Sequence, residues 1–151
     1  MDLYQLKKYI IEPVLQVLKM YSVEAIELVI GTCCQESRGG RFIKQIGGGP
    51  ALGIYQMEPD TAKDIINNYL KYRPELYGRV FSFYNDKQTL EENLKGNLYF
   101  QTAMCRVHYY RCKGAIPQSP KGQSMYWKKN YNTPSGKGKP EEYIANYNEL
   151  Y

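Results

Sequence analysis

The sequence has no long apolar run, since no stretch of its 151 residues approaches the ~18 apolar residues that a membrane-spanning helix needs. It also lacks, at its N-terminus, a basic flank followed by an apolar block and a small-residue cleavage site. These two absences predict a chain that is made in the cytoplasm and does not insert stably into a membrane.

Cysteine and histidine are both scarce. Of the four cysteines, Cys33 and Cys34 are adjacent, while Cys105 and Cys112 are seven residues apart on a predicted helix. No pair suggests a disulfide framework, and none has the spacing of zinc ligands. The only histidine, His108, lies on the same predicted helix, far from any motif. We therefore predict free thiols, a structural or surface histidine, and neither a metal nor another cofactor.

Concentrated positive charge is missing too. The net charge is +5, but the basic residues are dispersed, and the densest group has only five lysines between residues 121 and 139. Without a nucleic-acid-binding motif, this pattern does not favour nucleic acid as a partner. Anionic cell-wall polymers suit the charge as well. The sixteen tyrosines are compatible with sugar rings, because tyrosine combines a flat apolar face with a polar tip.

Helical periodicity and capping signals cover most of the chain. Helices are predicted over residues 3–20 with a bend near Pro13, from Ser22 to Glu36 as the core helix, from Pro59 to before Pro74, from Thr89 to about Cys112, over 123–132, and from Pro140 onward. Residues 77–87 are predicted as a loop that can include one helical turn. Residues 41–46, between glycine clusters, and 52–55 are predicted to form a small β-hairpin or an irregular flap. The expected fold is one mainly α, α+β domain over residues 1–151.

Glu36 is the most informative residue of the chain. It is placed on the last turn of the apolar core helix, facing a glycine-rich loop, where burial would raise the pKa of its carboxyl group and suit it to proton transfer. Residues 37–56 contain no aspartate or glutamate, and the next acids are Glu58 and Asp60. These observations point to acid-base chemistry at a glycosidic bond.

Three segments, in this order, resemble the lytic transglycosylase and goose-type lysozyme superfamily, in particular its small phage members. The first is Glu36-Ser37 at the end of a core helix. The second is the stretch from Gly53 to Gln56 followed by a proline-led helix, and the third is Tyr131-Asn132 with a glycine-containing loop. Tyr147-Asn148 is a competing match for the third segment. The chain departs from the family pattern at Ile54, Tyr55 and Asn130.

The resemblance implies a lysozyme-like domain that cleaves the β-1,4 bond between N-acetylmuramic acid and N-acetylglucosamine in peptidoglycan. It implies cleavage by transglycosylation, in which the sugar's own 6-hydroxyl is the nucleophile and the product has a 1,6-anhydro end. It implies Glu36 as acid and base, with Tyr131 as its catalytic partner. It further implies substrate contacts from five positions: Ser37, Gly53, Tyr55, Gln56 and Asn132. Tyr55, Phe42 and Trp127 could line the sugar groove, but they could equally be core residues.

Two alternatives to transglycosylation remain at this point. A hydrolytic muramidase would need a second carboxylate, for which Glu58 and Asp60 are the candidates. A protein of another class would keep the fold as a non-catalytic glycan-binding virion protein. The resemblance also implies a monomer that acts in phage lysis and reaches the wall once a separate holin-type pore opens the host membrane.

Overall fold

The computed structural model describes all of residues 1–151, and the prediction of a mainly helical chain is confirmed. The α-helices are α1 (Leu3–Leu6), α2 (Glu12–Val17), α3 (Val23–Ser37), α4 (Pro59–Asn68), α5 (Pro74–Phe81), α6 (Leu90–Gly96), α7 (Leu98–Tyr110), α8 (Pro120–Trp127) and α9 (Pro140–Leu150). Two π-helical turns, Lys7–Ile11 and Lys128–Asn132, extend α1 and α8, and a 3-10 turn covers Leu70–Tyr72. No helix has the length and apolar character needed to cross a membrane.

The first predicted helix is present but irregular at the expected place. Between α1 and α2 the N–H of Glu12 donates to the carbonyl of Lys7, five residues back, as in a π-helix. Pro13 has no N–H of its own and its ring crowds the preceding turn. A wider turn just before it accommodates the proline without ending the helix.

Helix α3 forms the centre of the molecule and carries Glu36 near its C-terminal end. Ser22 caps it, because its hydroxyl accepts a hydrogen bond of 3.1 Å from the Ala25 N–H. Its central residues are buried, and α9 packs closely against it. At Gly31 a Cβ atom would collide with the phenol of Tyr143, so glycine permits this close approach. The buried apolar side chains of these helices form one continuous core.

The predicted small β-hairpin is not shown, and the segment is irregular, as the alternative expectation of a flap has it. Two isolated antiparallel bridges, Lys44–Leu52 and Leu52–Met57, are the only extended pairings between residues 38 and 58. Gly47, Gly48 and Gly53 all have positive φ angles, from 79° to 87°, and turn the backbone before a strand can extend. A set of tight turns therefore connects α3 to α4.

The prediction of one long helix from Thr89 is wrong, whereas the expectation for residues 77–87 holds in part. The expected single helix from Thr89 divides into α6 and α7, because Asn97 has an extended backbone and its side chain caps α7 by accepting from the Phe100 N–H. Residues 77–81 belong to helix α5, and residues 82–87 form turns. Of the four cysteines, all are free, and Cys33, Cys34 and Cys105 are buried.

Candidate active site

An open cleft of about 990 Å³ lies at the C-terminal end of α3. Its walls come from the turns before α4, the first turns of α4, the C-terminal end of α7 and the π-helical turn after α8. Residues from all four walls face it, among them Glu36, Phe42, Gln56, Glu58, Asp60, Asp64, His108, Arg111, Tyr131 and Asn132. This volume is at the upper end of the range for ligand sites, large enough for an extended ligand.

Glu36 lines the cleft from the penultimate position of α3. Burial raises the pKa of its carboxyl group from 4.5 to about 7, and a hydrogen bond from the indole of Trp127 acts in the opposite direction. This bond joins Trp127 Nε1 to Glu36 Oε1 over 2.8 Å, and the indole itself is 1% exposed. At neutral pH the carboxyl group is thus poised both to donate and to accept a proton.

Ser37, next to the acid, is fully buried and bonds only within the protein. Its hydroxyl donates to the carbonyl of Ile54 over 2.6 Å and accepts from the Gly40 N–H over 2.8 Å. These bonds attach the end of α3 to the turns of residues 51–57. Ser37 therefore positions the backbone beside Glu36 and does not face the cleft.

Gly53 is packed against α6 and α7. With φ at 79°, it approaches them so closely that a Cβ atom would collide with the carbonyl of Leu94 and the side chain of Gln101. The neighbouring N–H of Ile54 donates to Gln101 Oε1 over 2.7 Å. Gly53 therefore fixes the turn that leads to Gln56 and does not itself line the cleft.

Tyr55 does not offer its ring to a ligand. The side chain is 1% exposed, and its hydroxyl shares a hydrogen bond of 2.9 Å with Thr102 in the core. Its backbone carbonyl is what reaches the site, by accepting from the Tyr131 hydroxyl over 2.6 Å. Gln56, in contrast, lines the cleft, with its amide donating to the carbonyl of Gly53 over 2.9 Å.

The π-helical turn after α8 brings Tyr131 and Asn132 to the cleft. The Tyr131 ring packs on Tyr109, with 5.2 Å between the centroids. Burial raises the pKa of Tyr131 well above its ordinary value, and the nearby carboxyl group of Glu36 adds to this, so the phenol stays protonated. Tyr147 packs against Tyr151 on α9 and does not line the cleft. Between the two motif candidates, only Tyr131 shares a cavity with Glu36.

Three further acids stand on the α4 side of the cleft. Glu58 precedes α4 and Asp60 is in its first turn, and both are exposed. Asp64, one turn later, accepts hydrogen bonds of 2.7 Å from Asn68 and from Arg111. These two bonds, the one from Asn68 first, lower the pKa of Asp64. Glu36 thus faces a cleft that also contains three exposed carboxylates.

His108 lies in the cleft wall, although it was expected far from the site. Its ring meets the edge of Tyr131, with 4.8 Å between the centroids. Burial lowers the pKa of its imidazole to about 4, and the charge of Arg111 adds to the effect, so the ring is neutral at pH 7. Arg111 Nη2 lies 3.4 Å from His108 Nδ1. No local sequence pattern predicts that His108 lies in the cleft wall, because this depends on the packing of α7 against Tyr131.

No group of three or more histidine, cysteine, aspartate or glutamate side chains is arranged to hold a metal ion. The arrangement is that of a proton-transfer site: one desolvated acid, a buried indole donor, a neutral phenol and open cleft space. No protein-family model matches the chain, and neither a curated protein nor a solved structure shows significant similarity to it.

Proposed function

We propose that this protein cleaves the β-1,4 bond between N-acetylmuramic acid and N-acetylglucosamine in peptidoglycan, with Glu36 as the proton donor. The observation that carries the proposal is the carboxyl group of Glu36, which faces a large cleft with a pKa of about 7. An acid of this pKa is protonated in a useful fraction at neutral pH and leaves a competent base after it donates. The three-segment resemblance supplies the choice of substrate.

In the proposed mechanism a single acid is enough. Glu36 transfers its proton to the glycosidic oxygen as the bond to the anomeric carbon of muramic acid breaks. The 6-hydroxyl of the same sugar then bonds to that carbon and gives its proton to the Glu36 carboxylate. The acid is restored, no water is consumed, and the product carries a 1,6-anhydro ring.

The neighbours of Glu36 have supporting roles in this proposal. Trp127 holds one carboxyl oxygen, which leaves the other directed at the substrate. Tyr131 is held by the carbonyl of Tyr55, and its oxygen can still accept a hydrogen bond in the cleft. Gln56 and Asn132 present amide groups to the same space and suit the acetamido and hydroxyl groups of a glycan.

Hydrolysis of the same bond is the second candidate, and the acids on the α4 wall favour it. A hydrolase needs a second carboxylate at about 5 to 9.5 Å from the acid, to attack the sugar or to activate water. Glu58 and Asp60 face the cleft, yet both also suit the N-terminus of α4 without a catalytic role. We therefore keep transglycosylation as the main proposal.

The first experiment compares Glu36→Gln with the wild-type protein in turbidity assays on purified peptidoglycan. We expect clearing to vanish. The amide oxygen can still accept the hydrogen bond from Trp127, but the amide is not acidic enough to protonate the glycosidic oxygen. Glu141→Gln, an exposed acid at the start of α9, makes the same charge change away from the cleft and is expected to clear normally. Undiminished clearing by Glu36→Gln would refute the proposal. Binding to peptidoglycan by a wild-type protein that clears nothing would favour the non-catalytic alternative.

Mass spectrometry of the released muropeptides separates the two reactions. Transglycosylation predicts anhydro ends, lighter by one water than the ends that hydrolysis produces. It also predicts that Glu58→Gln and Asp60→Asn retain activity, whereas a hydrolase would lose it with one of them. Hydrated ends together with such a loss would assign the reaction to a muramidase.

We propose phage lysis of a bacterial host as the biological setting. The support is the resemblance to small phage enzymes, in which a separate pore-forming protein gives access to the wall. Expression in a host with and without such a pore tests this setting. Export and lysis without the pore would count against it.

A further inference from the structure

A second groove, of about 720 Å³, opens on a different face of α7 and shares no residue with the candidate active site. It lies between the end of α2, the start of α5 and the last turn of α7. We call it the basic groove, because its lining includes Lys19, Arg73 and Arg79 beside Tyr110, with Glu75 as the only acid. The formal charge of this lining is +2.

The three cations of the basic groove are poorly neutralised. The ammonium group of Lys19 takes part in no hydrogen bond or ion pair. Arg73 is held by the carbonyl of Tyr69 at 3.1 Å and by the face of the Tyr69 ring at 3.7 Å, neither of which cancels its charge. Arg79 has Glu75 at 3.8 Å, but that carboxylate is 90% exposed and such a pair is weak. The groove is therefore a concave surface whose positive charge is largely not neutralised by neighbouring carboxylates.

Lys19 occupies an unusual backbone position for a lysine. Its φ is 58°, and it follows α2 with the Lys19 N–H bonded to Gln16 and the Met20 N–H bonded to Leu15. This is the Schellman arrangement, in which the residue after the helix is usually glycine. A strained non-glycine residue of this kind is a pointer to function, because the side chain is kept despite its backbone cost.

Arg106 adds a buried charge next to the groove. It is one turn before Tyr110 on α7, and its guanidinium group lies 5.5 Å from the centre of the Tyr110 ring. The residue is 7% exposed, makes no ion pair, and its Nε has no hydrogen-bond partner. Burying a charged group without a counter-charge is unfavourable, so a negative ligand nearby would stabilise it.

We propose that the basic groove binds a linear phosphodiester polymer of the poly(glycerol phosphate) type. The cations come from two separate segments, the residue after α2 and residues 73–79, around a concavity, which suits a thin flexible chain better than the convex surface of a duplex. The N-terminus of α5, which no side chain caps, points its positive end at the same space. The volume exceeds what one phosphate fills, so the groove has room for more than one phosphate of the chain.

Single-stranded nucleic acid fits this groove less well. Proteins that bind it combine basic grooves with several aromatic rings on which bases stack. Here the lining has one aromatic ring, Tyr110, which is 51% exposed. A polymer without bases uses the charges and needs no stacking platform.

Calorimetric titration with synthetic poly(glycerol phosphate) oligomers tests the proposal. The variant Lys19→Gln/Arg79→Gln removes two groove charges, and the matched control Lys63→Gln/Lys137→Gln removes two exposed charges elsewhere. At about 0.1 M salt we expect the groove variant to bind roughly tenfold or more weakly, with a salt slope smaller by about 2. The control is expected to stay within about twofold of wild type, since distant charges are screened.

Equal losses in both double variants would overturn the proposal, because they would indicate attraction by the net charge alone. Unchanged binding by the groove variant would overturn it as well.

Inorganic phosphate, anionic phospholipid vesicles and a single-stranded oligonucleotide are titrated in parallel. Tighter groove-dependent binding of any of these than of the polymer would assign the groove to that ligand instead. The polymer contains no glycosidic bond for Glu36 to cleave, so the outcome is independent of the proposed function.

Discussion

At the scale of single residues, the hydrogen bond from Trp127 lowers the pKa of Glu36 and so affects the protonation of the acid. Its 2.8 Å hydrogen bond favours the carboxylate and so works against the burial that raises the pKa of Glu36. In Trp127→Phe the ring remains but the donor is gone, so the pKa of Glu36 is expected to rise. We predict that the alkaline limb of the pH-activity profile moves to higher pH, while activity at neutral pH falls on the order of tenfold because the acid is less well oriented.

The control for this variant is a measurement of its thermal unfolding. Loss of activity with an unchanged pH profile would mean that Trp127 acts only through packing. If the alkaline limb of the pH-activity profile moves to higher pH while stability stays near that of wild type, Trp127 is a positioning residue for Glu36.

The pKa of Glu36 also predicts how stability depends on pH. The folded protein holds this proton up to a pKa of about 7, whereas the unfolded chain releases it near 4.5. Between these values the native state binds more protons, so stability decreases as pH rises from 4.5 to 7. Glu36→Gln removes this effect and should stabilise the protein by about 3 kcal/mol at pH 8, while the difference from wild type should be small at pH 4.

Urea denaturation of both proteins at pH 4 and pH 8 measures this difference. Glu141→Gln, which is exposed, is expected to follow wild type at both pH values. A gain in stability that is the same at both pH values would show that burial does not penalise the Glu36 carboxylate. A gain confined to high pH would show that the native state bears a cost for keeping the acid in place.

At the scale of elements, capping residues and prolines predict where several helices begin, whereas the starts of α5, α7 and α8 and the connections between helices are not predicted. Ser22 and Thr89 cap their helices as expected, and Pro59 and Pro140 begin theirs, because these signals act within one turn. The hairpin fails because the fold of residues 38–58 depends on bonds to other helices.

The same distinction holds for the candidate site. Glu36 follows from a local pattern, an apolar helix that ends at a glycine-rich loop, and the structure does place it on a cleft. The inward ring of Tyr55 and the position of His108 depend on how α7 packs beneath the turns. Local spacing contains no information on that packing, which only long-range contacts fix.

Gly53 provides a test of this dependence on long-range contact. In Gly53→Ala the new Cβ would meet the Leu94 carbonyl and Gln101, in addition to the strain of a positive φ. Gly47 is a matched control, since its φ is 87° but a Cβ there meets nothing within 4 Å. We expect Gly47→Ala to cost about 1 kcal/mol from backbone strain alone, and Gly53→Ala to cost about 3 kcal/mol or more.

Chemical denaturation gives the two free energies of unfolding, and peptidoglycan clearing gives the functional effect. Gly53→Ala is expected to reduce clearing as well, because the turn supports both Ser37 and the Tyr55 carbonyl that holds Tyr131. Equal losses for the two variants would mean that the turn yields to the extra atom and that its close packing is unimportant.

At the scale of the whole molecule, the charges are distributed unevenly around a net charge of +5. The cleft contains several acids, whereas the basic groove on another face of α7 has a positive lining. Under the proposed function, long-range attraction to a polyanionic wall would act on the outside of the protein and not on the cleft. The two sites can be tested separately, because salt screens the outer charges far more than the partly buried acid.

We therefore predict that the salt dependence of clearing is a property of the substrate preparation. On walls that retain their phosphate polymers, clearing should fall several-fold as ionic strength rises from about 0.01 to 0.5 M, because the Debye length shrinks below the distance over which the charges attract. On peptidoglycan stripped of these polymers, the same range of salt should have little effect. Equally steep salt dependence on both preparations would show that the attraction is to the glycan strand itself, and would place the charge-dependent step at the cleft.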